Sequence, residues 1–165
     1  MGEWWYNLIF MKCITWNLKG IIGKASKQMD AIIQLQPDII AFQEVTLNSI
    51  NIIRKQLSSS YASIVNSLEL VKDKTVLVGA RRYGVLIASN YKIQTLDPKL
   101  FDIPWQERIL SVNIIHPKDT IEFHTAYIPP GSTNRWKKIE TLEGIYKRLA
   151  VKTDMKRILC GDFNT

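Results

Sequence analysis

At four places in the chain, polar side chains directly follow apolar runs: Asn17 after residues 13–16, Gln43-Glu44 after 38–42, Tyr127 after 120–126, and Asp162 with Asn164 after 157–160. The end of a buried strand is where a rigid scaffold aims a side chain into a cleft. An amide, two carboxylates and a phenol suit a hard divalent cation and a phosphate. Mg²⁺ takes oxygen ligands, keeps several waters and needs only one or two carboxylates. No Cys/His cluster argues for zinc. Each group also has a plainer account. Glu44 is a solvated carboxylate at a strand end, Asp162 and Asn164 form an Asx-type turn, Asn17 is a turn former before Gly20, and Tyr127 is an edge aromatic against proline.

The elements that would position these groups follow from periodicity. Residues 12–16 read as a buried strand. Ala25, Met29, Ile32 and Ile33 share one helix face, and Pro37 ends that helix. Residues 38–43 are apolar without alternation, as in a strand covered on both faces. Leu47, Ile50, Ile53 and Leu57 restore the helical spacing. The middle of the chain predicts short antiparallel strands over 61–65, 76–79, 85–89, 92–95, 109–115 and 120–127. Trp136, Ile139, Leu142, Tyr146 and Leu149 then form a helical stripe, with Trp16 and Trp136 expected in the core. A last strand, 157–160, runs into Gly161-Asp162-Phe163-Asn164-Thr165. Helices flanking strands at both ends indicate a mixed α/β sheet with helices on at least one face.

The 165 residues, 46% hydrophobic and 22% charged, exclude a disordered or fibrous chain. A net charge of +7 favours an anionic partner. Eight Lys/Arg stand against three acids between Arg135 and Arg157, which either steers a polyanion or is the solvated face of a helix. Cys13 and Cys160 are too few for a disulfide scaffold and read as reduced thiols of a cytoplasmic protein. Residues 1–10 read as an extension preceding one domain over 11–165. Its aromatic run is too short for a membrane span. Arg81-Arg82 is either a phosphate contact or a solvated hairpin tip, and Glu107-Arg108 a local ion pair. His116 and His124 read as structural.

The strings Thr15-Trp16-Asn17-Leu18, Pro37-Asp38-Ile39-Ile40-Ala41-Phe42-Gln43-Glu44, Tyr83-Gly84-Val85-Leu86-Ile87-Ala88-Ser89, Glu107-Arg108-Ile109-Leu110, Tyr127-Ile128-Pro129-Pro130-Gly131 and Leu159-Cys160-Gly161-Asp162-Phe163-Asn164, in this order and spacing, resemble the endonuclease/exonuclease/phosphatase superfamily, which includes exonuclease III, AP endonucleases, deoxyribonuclease I-like enzymes and sphingomyelinases. The resemblance implies an α/β (α+β) mixed β-sheet sandwich flanked by helices, the four-layer deoxyribonuclease I-like architecture. Family members continue beyond Gly-Asp-Phe-Asn to an Asp-His pair, so the C-terminal part is expected to be absent here.

By the same resemblance Glu44 is the principal metal ligand with Asn17 beside it orienting the ion or a phosphate oxygen, Tyr127 hydrogen-bonds the scissile phosphate or the attacking group, Asp162 positions or deprotonates the attacking water, and Asn164 holds the phosphate or that Asp. Apart from the resemblance, Arg82 and Arg108 are candidate contacts to substrate phosphate. The implied activity is Mg²⁺-dependent phosphodiester hydrolysis, with Mn²⁺ as substitute, on DNA in the setting of DNA repair. A phosphatase or sphingomyelinase-like phosphodiesterase is the alternative enzyme. An inactive binding or assembly module is the alternative of another class: a lone first half would expose an apolar sheet face, to be covered in a homo-oligomer or by a completing chain.

Overall fold

The computed structural model describes residues 10–20 and 25–165; the expected extension falls almost entirely outside these, and of the predicted stripe on the first helix the Ala25 side chain does too. The elements in chain order are β1 (Cys13–Asn17), α1 (Ala25–Gln34), β2 (Ile39–Val45), α2 (Leu47–Leu57), β3 (Ser63–Asn66), α3 (Ser67–Leu70), β4 (Gly84–Ser89), β5 (Lys92–Thr95), β6 (Ile109–His116), β7 (Asp119–Tyr127), α4 (Gly131–Asn134), α5 (Trp136–Leu149) and β8 (Lys156–Asp162). They form two four-stranded sheets, ordered β1-β2-β4-β3 and β5-β6-β7-β8. In each sheet one pair is parallel, β1 with β2 and β7 with β8, and the other pairs are antiparallel.

The apolar run of β2 is explained by its two covered faces. Ile40 and Phe42 pack with Met29 and Ile32 of α1 and with Ile50, Ile53 and Leu57 of α2. Ile39 and Ala41 face the other way, against Leu110, Val112 and Phe123 of the second sheet. A third apolar layer joins Ile109, Ala126 and Ile128 to Ile145 of α5. Helix, sheet, sheet and helix are thus the four layers. The α2 start is held by a capping box: Thr46 Oγ1 accepts from Ser49 N at 3.2 Å, and Ser49 Oγ accepts from Thr46 N at 2.8 Å.

Several expectations are corrected. The strand expected over 76–79 is replaced by 3₁₀ turns at Lys74–Val76 and Gly79–Arg82. Asp73 caps the first through Thr75 N at 2.9 Å, and Lys74 Nζ donates to the carbonyls of Leu68, Glu69 and Val71, which competes with strand pairing. Trp16 is 46% and Trp136 73% exposed. Trp16 lies on an edge strand, and α5 is rolled so that Thr141, Gly144 and Ile145 face inward while Trp136, Ile139 and Tyr146 face out. A Cβ at Gly144 would collide with the Asp102 carbonyl, so the roll brings the helix backbone against the 98–105 loop. The apolar sheet face expected to be bare is covered, because both sheets belong to this chain and pack on one another. Among the described residues no helix is long and apolar enough to cross a membrane.

Candidate active site

Asn17, Tyr127 and Asp162 are the last residues of β1, β7 and β8, and Glu44 lies one residue before the end of β2. The parallel registers Asn17↔Gln43 and Tyr127↔Asp162 bring each pair level. Gln43 then ties the two sheets together: its buried Nε2 donates to Thr15 Oγ1 and to Thr125 Oγ1, both at 3.0 Å. The C-terminal ends of β1, β2, β7 and β8 therefore meet at one end of the sandwich, and β1 lies beside β8.

Asn17 sits at the centre. Its Nδ2 donates to Glu44 Oε1 at 3.0 Å and to Asp162 Oδ2 at 2.6 Å. Its Oδ1 accepts from Lys19 N at 2.7 Å, which sets which end of the amide faces the carboxylates. Glu44 is the extra residue of a β-bulge: Gln43 pairs with Val85, Val45 with Gly84, and Glu44 between them has φ 57°. A side chain in the left-handed region is strained, and a bulge re-aims it. On β8, Gly161 has φ 139° and passes so close to Ala126 that a Cβ would collide with its carbonyl oxygen. This close passage delivers Asp162 to the site. Asp162 Oδ1 accepts from Asn164 N at 2.9 Å, Asn164 Nδ2 donates to Ile128 O at 2.7 Å, and Lys138 of α5 donates to Asn164 O at 2.6 Å.

The Tyr127 phenol is buried, and its pKa is raised by that burial and then by the charge and hydrogen bonding of Glu44, with Arg108 opposing. Tyr83 meets its ring edge to face at 6.4 Å. Glu44 and Asp162 bring carboxylate oxygens to this end of the sandwich, bridged by the Asn17 amide nitrogen, and among the described residues there is no group of three or more His, Cys, Asp or Glu that could hold a metal. The two arginines separate. Arg82 is exposed, with Nη2 2.5 Å from the Tyr83 hydroxyl, beside a hollow of about 320 Å³ lined also by Gly20, Thr46, Asn48 and Leu77. Arg108 is 2% exposed.

The expected Glu107–Arg108 pair does not form. Glu107, fully buried, takes Arg81 instead, at 2.7 and 2.8 Å, because Arg81 approaches from the preceding 3₁₀ turn while the Arg108 side chain turns toward Tyr127. That pair lines a larger cavity of about 490 Å³, which none of Asn17, Glu44, Tyr127 or Asp162 borders. His124 is structural as expected: it is buried in β7, with Nδ1 2.8 Å from Ser111 Oγ and Nε2 3.2 Å from Glu122 Oε1. Sequence reasoning missed Lys138 and Trp105; neither spacing nor periodicity marks a lysine that ties a loop or a ring that stacks on an arginine.

Residues 14–165 match the model of the Endonuclease/Exonuclease/phosphatase family. None of the curated proteins matches the chain. Among solved structures, it is similar to TDP2 of D. rerio complexed with single strand DNA product (13% identity, TM-score 0.69, 94% of this chain and 61% of that one). It is also similar to an AP endonuclease from Archaeoglobus fulgidus (21%, 0.70, 94% and 58%) and to sphingomyelinase C from Streptomyces griseocarneus (12%, 0.67, 94% and 64%). The chain thus spans about three fifths of the length of these three structures.

Proposed function

The chain belongs to the endonuclease/exonuclease/phosphatase family, and from that premise we propose that it hydrolyses phosphodiesters, with DNA as substrate and Mg²⁺, or Mn²⁺ in its place, as the cation. The observation that carries the reading is the sharing of one amide: Asn17 draws together Glu44 and Asp162 from opposite sheets.

In this reading Glu44 holds the cation, and Asn17, whose Nδ2 donates to Glu44 Oε1 while its Oδ1 accepts from Lys19 N, orients that carboxylate. When bound, the cation polarises the phosphoryl oxygen and offsets the charge that develops there. Asp162, held by Asn17 and by Asn164 N, orients the attacking water and takes its proton as the oxygen bonds to phosphorus and the ester oxygen leaves. Tyr127 donates its hydroxyl hydrogen to a phosphate oxygen. Asn164 acts on Asp162 rather than on phosphate, since its side-chain nitrogen is bonded to Ile128 O. Exposed Arg82 meets a flanking phosphate.

The net charge of +7 supports a polyanionic substrate, as do two of the similar structures, a TDP2 complexed with single strand DNA product and an AP endonuclease. A sphingomyelinase is similar at the same level, so the experiment is a panel: abasic-site duplex, single-stranded DNA, inositol phosphates and sphingomyelin, with Mg²⁺ and with chelator. Cleavage of DNA that chelation abolishes is the expected result. Turnover of lipid or sugar phosphate with DNA intact overturns the nuclease reading. The assembly-module reading loses its main support, because the sheet faces it needed bare cover one another.

A further inference from the structure

Arg108 heads the fully buried side chains of the described residues by volume, at 2% exposure. Taking a guanidinium out of water is unfavourable unless charge or hydrogen bonds compensate it. Among the described residues no carboxylate forms an ion pair with it, since its chain neighbour Glu107 is bonded through both oxygens to Arg81. Nη2 donates to Ala80 O at 2.5 Å, while Nε and Nη1 have no hydrogen-bond partner among the described residues. Its contacts are faces of rings: the guanidinium carbon lies 4.2 Å from the Tyr127 ring centroid and 5.3 Å from that of Trp105. Burial pulls its pKa down, and the Tyr127 phenol and, more weakly, the charges of Glu107 and Glu44 push it back up.

A fold in need of filler would place a methionine there, which has similar reach and no charge to bury. We propose that Arg108 is a positioning residue that acts through Tyr127, holding the phenol by its ring face so that the hydroxyl stays beside Glu44. This rests on the reading of Tyr127 as the phosphate-binding phenol, and it replaces the direct phosphate contact expected for Arg108 among the candidate site residues. Arg108 is 2% exposed, and its guanidinium lies against the rings of Trp105 and Tyr127.

The experiment combines a mutant cycle with a direct view of the ring. Wild type, Arg108→Met, Arg108→Lys, Tyr127→Phe and the double variant Arg108→Met/Tyr127→Phe are assayed on bis-p-nitrophenyl phosphate with Mg²⁺ or Mn²⁺. The chains are also labelled with 3-fluorotyrosine, and the Tyr127 ¹⁹F resonance is assigned by its loss in Tyr127→Phe. We expect Arg108→Met to stay folded and to lower kcat by about 100-fold, with KM changed by less than about threefold. Arg108→Lys restores part of the rate. The double variant is no slower than Tyr127→Phe alone, because both changes remove one unit. The Tyr127 resonance should shift and broaden in Arg108→Met.

Losses that multiply in the double variant, or a Tyr127 resonance unmoved in Arg108→Met, overturn the proposal. If Arg108→Met does not fold, Arg108→Lys replaces it in the cycle and in the spectrum under the same criteria. Inactivity of the wild type defeats the phosphodiesterase reading instead, and the resonance then decides whether Arg108 orders the ring.

Discussion

Asn17 and Asp162 are 145 positions apart in sequence and 2.6 Å apart in space, and the same Asn17 nitrogen also reaches Glu44 at 3.0 Å. Carboxylates drawn onto one amide repel each other less than bare ones. Replacing Asn17 with alanine removes that screen from both. Turnover should fall by about 10- to 100-fold, the usual effect of losing a group that orients a ligand, while the circular-dichroism melt stays cooperative. Unchanged kcat for Asn17→Ala would remove the amide from the mechanism.

Glu44 occupies a backbone conformation that glycine adopts freely and alanine does not, with φ 57° at the bulge. Both Glu44→Ala and Glu44→Gly should abolish cation-dependent cleavage. They should differ in stability: Glu44→Gly exceeds Glu44→Ala by about 1 kcal/mol, since only glycine relieves the left-handed strain. Urea unfolding of the two variants measures this, and an alanine variant the more stable of the two contradicts the strain argument.

The His124 imidazole is buried against Phe101 and Ser111, beside Glu122, whose carboxylate is shared with Arg148 and Arg157. Burial, with the two arginines adding to it against Glu122, lowers its pKa from 6.5 to about 4. The unfolded chain therefore binds a proton at higher pH than the folded one. The contribution is complete above pH 6.5 and is lost as pH falls from 6.5 toward about 4, at most about 3 kcal/mol. Thermal melts of wild type and His124→Gln across this window should show a flatter slope in the variant. Parallel slopes would assign the acid sensitivity elsewhere.

Arg81 and Glu107 form a bidentate pair in which the acid is fully buried and the base about a third exposed. Arg81→Met strands the Glu107 charge and should destabilise by about 3 kcal/mol, the lower end for a broken buried pair. Arg81→Met combined with Glu107→Gln should recover part of that loss, because the stranded charge is gone. Denaturant midpoints decide it. A double variant less stable than Arg81→Met would mean that the carboxylate serves a neighbour other than Arg81.

Some of this was legible locally. The uninterrupted apolar run in β2 required cover on both faces, and the sheets and helices supply it. The α5 stripe was misread because Leu142 and Leu149 suit either of two rolls of the helix; the close approach of Gly144 to Asp102 selects the roll that leaves Trp136 outside. Likewise Glu107 had two arginines within reach, and adjacency in the chain favoured the wrong one.

By itself the sequence determined which oxygen-bearing side chains stand at or beside the ends of the strands that make the site, because alternation, helical period and turn residues act over a few positions. Only the tertiary structure decided who meets whom: that one amide serves two carboxylates from different sheets, that Glu44 is thrust out by a bulge, and that Arg108 lies under Tyr127. Those outcomes depend on sheet register and on the packing of distant layers, which short-range pattern does not encode.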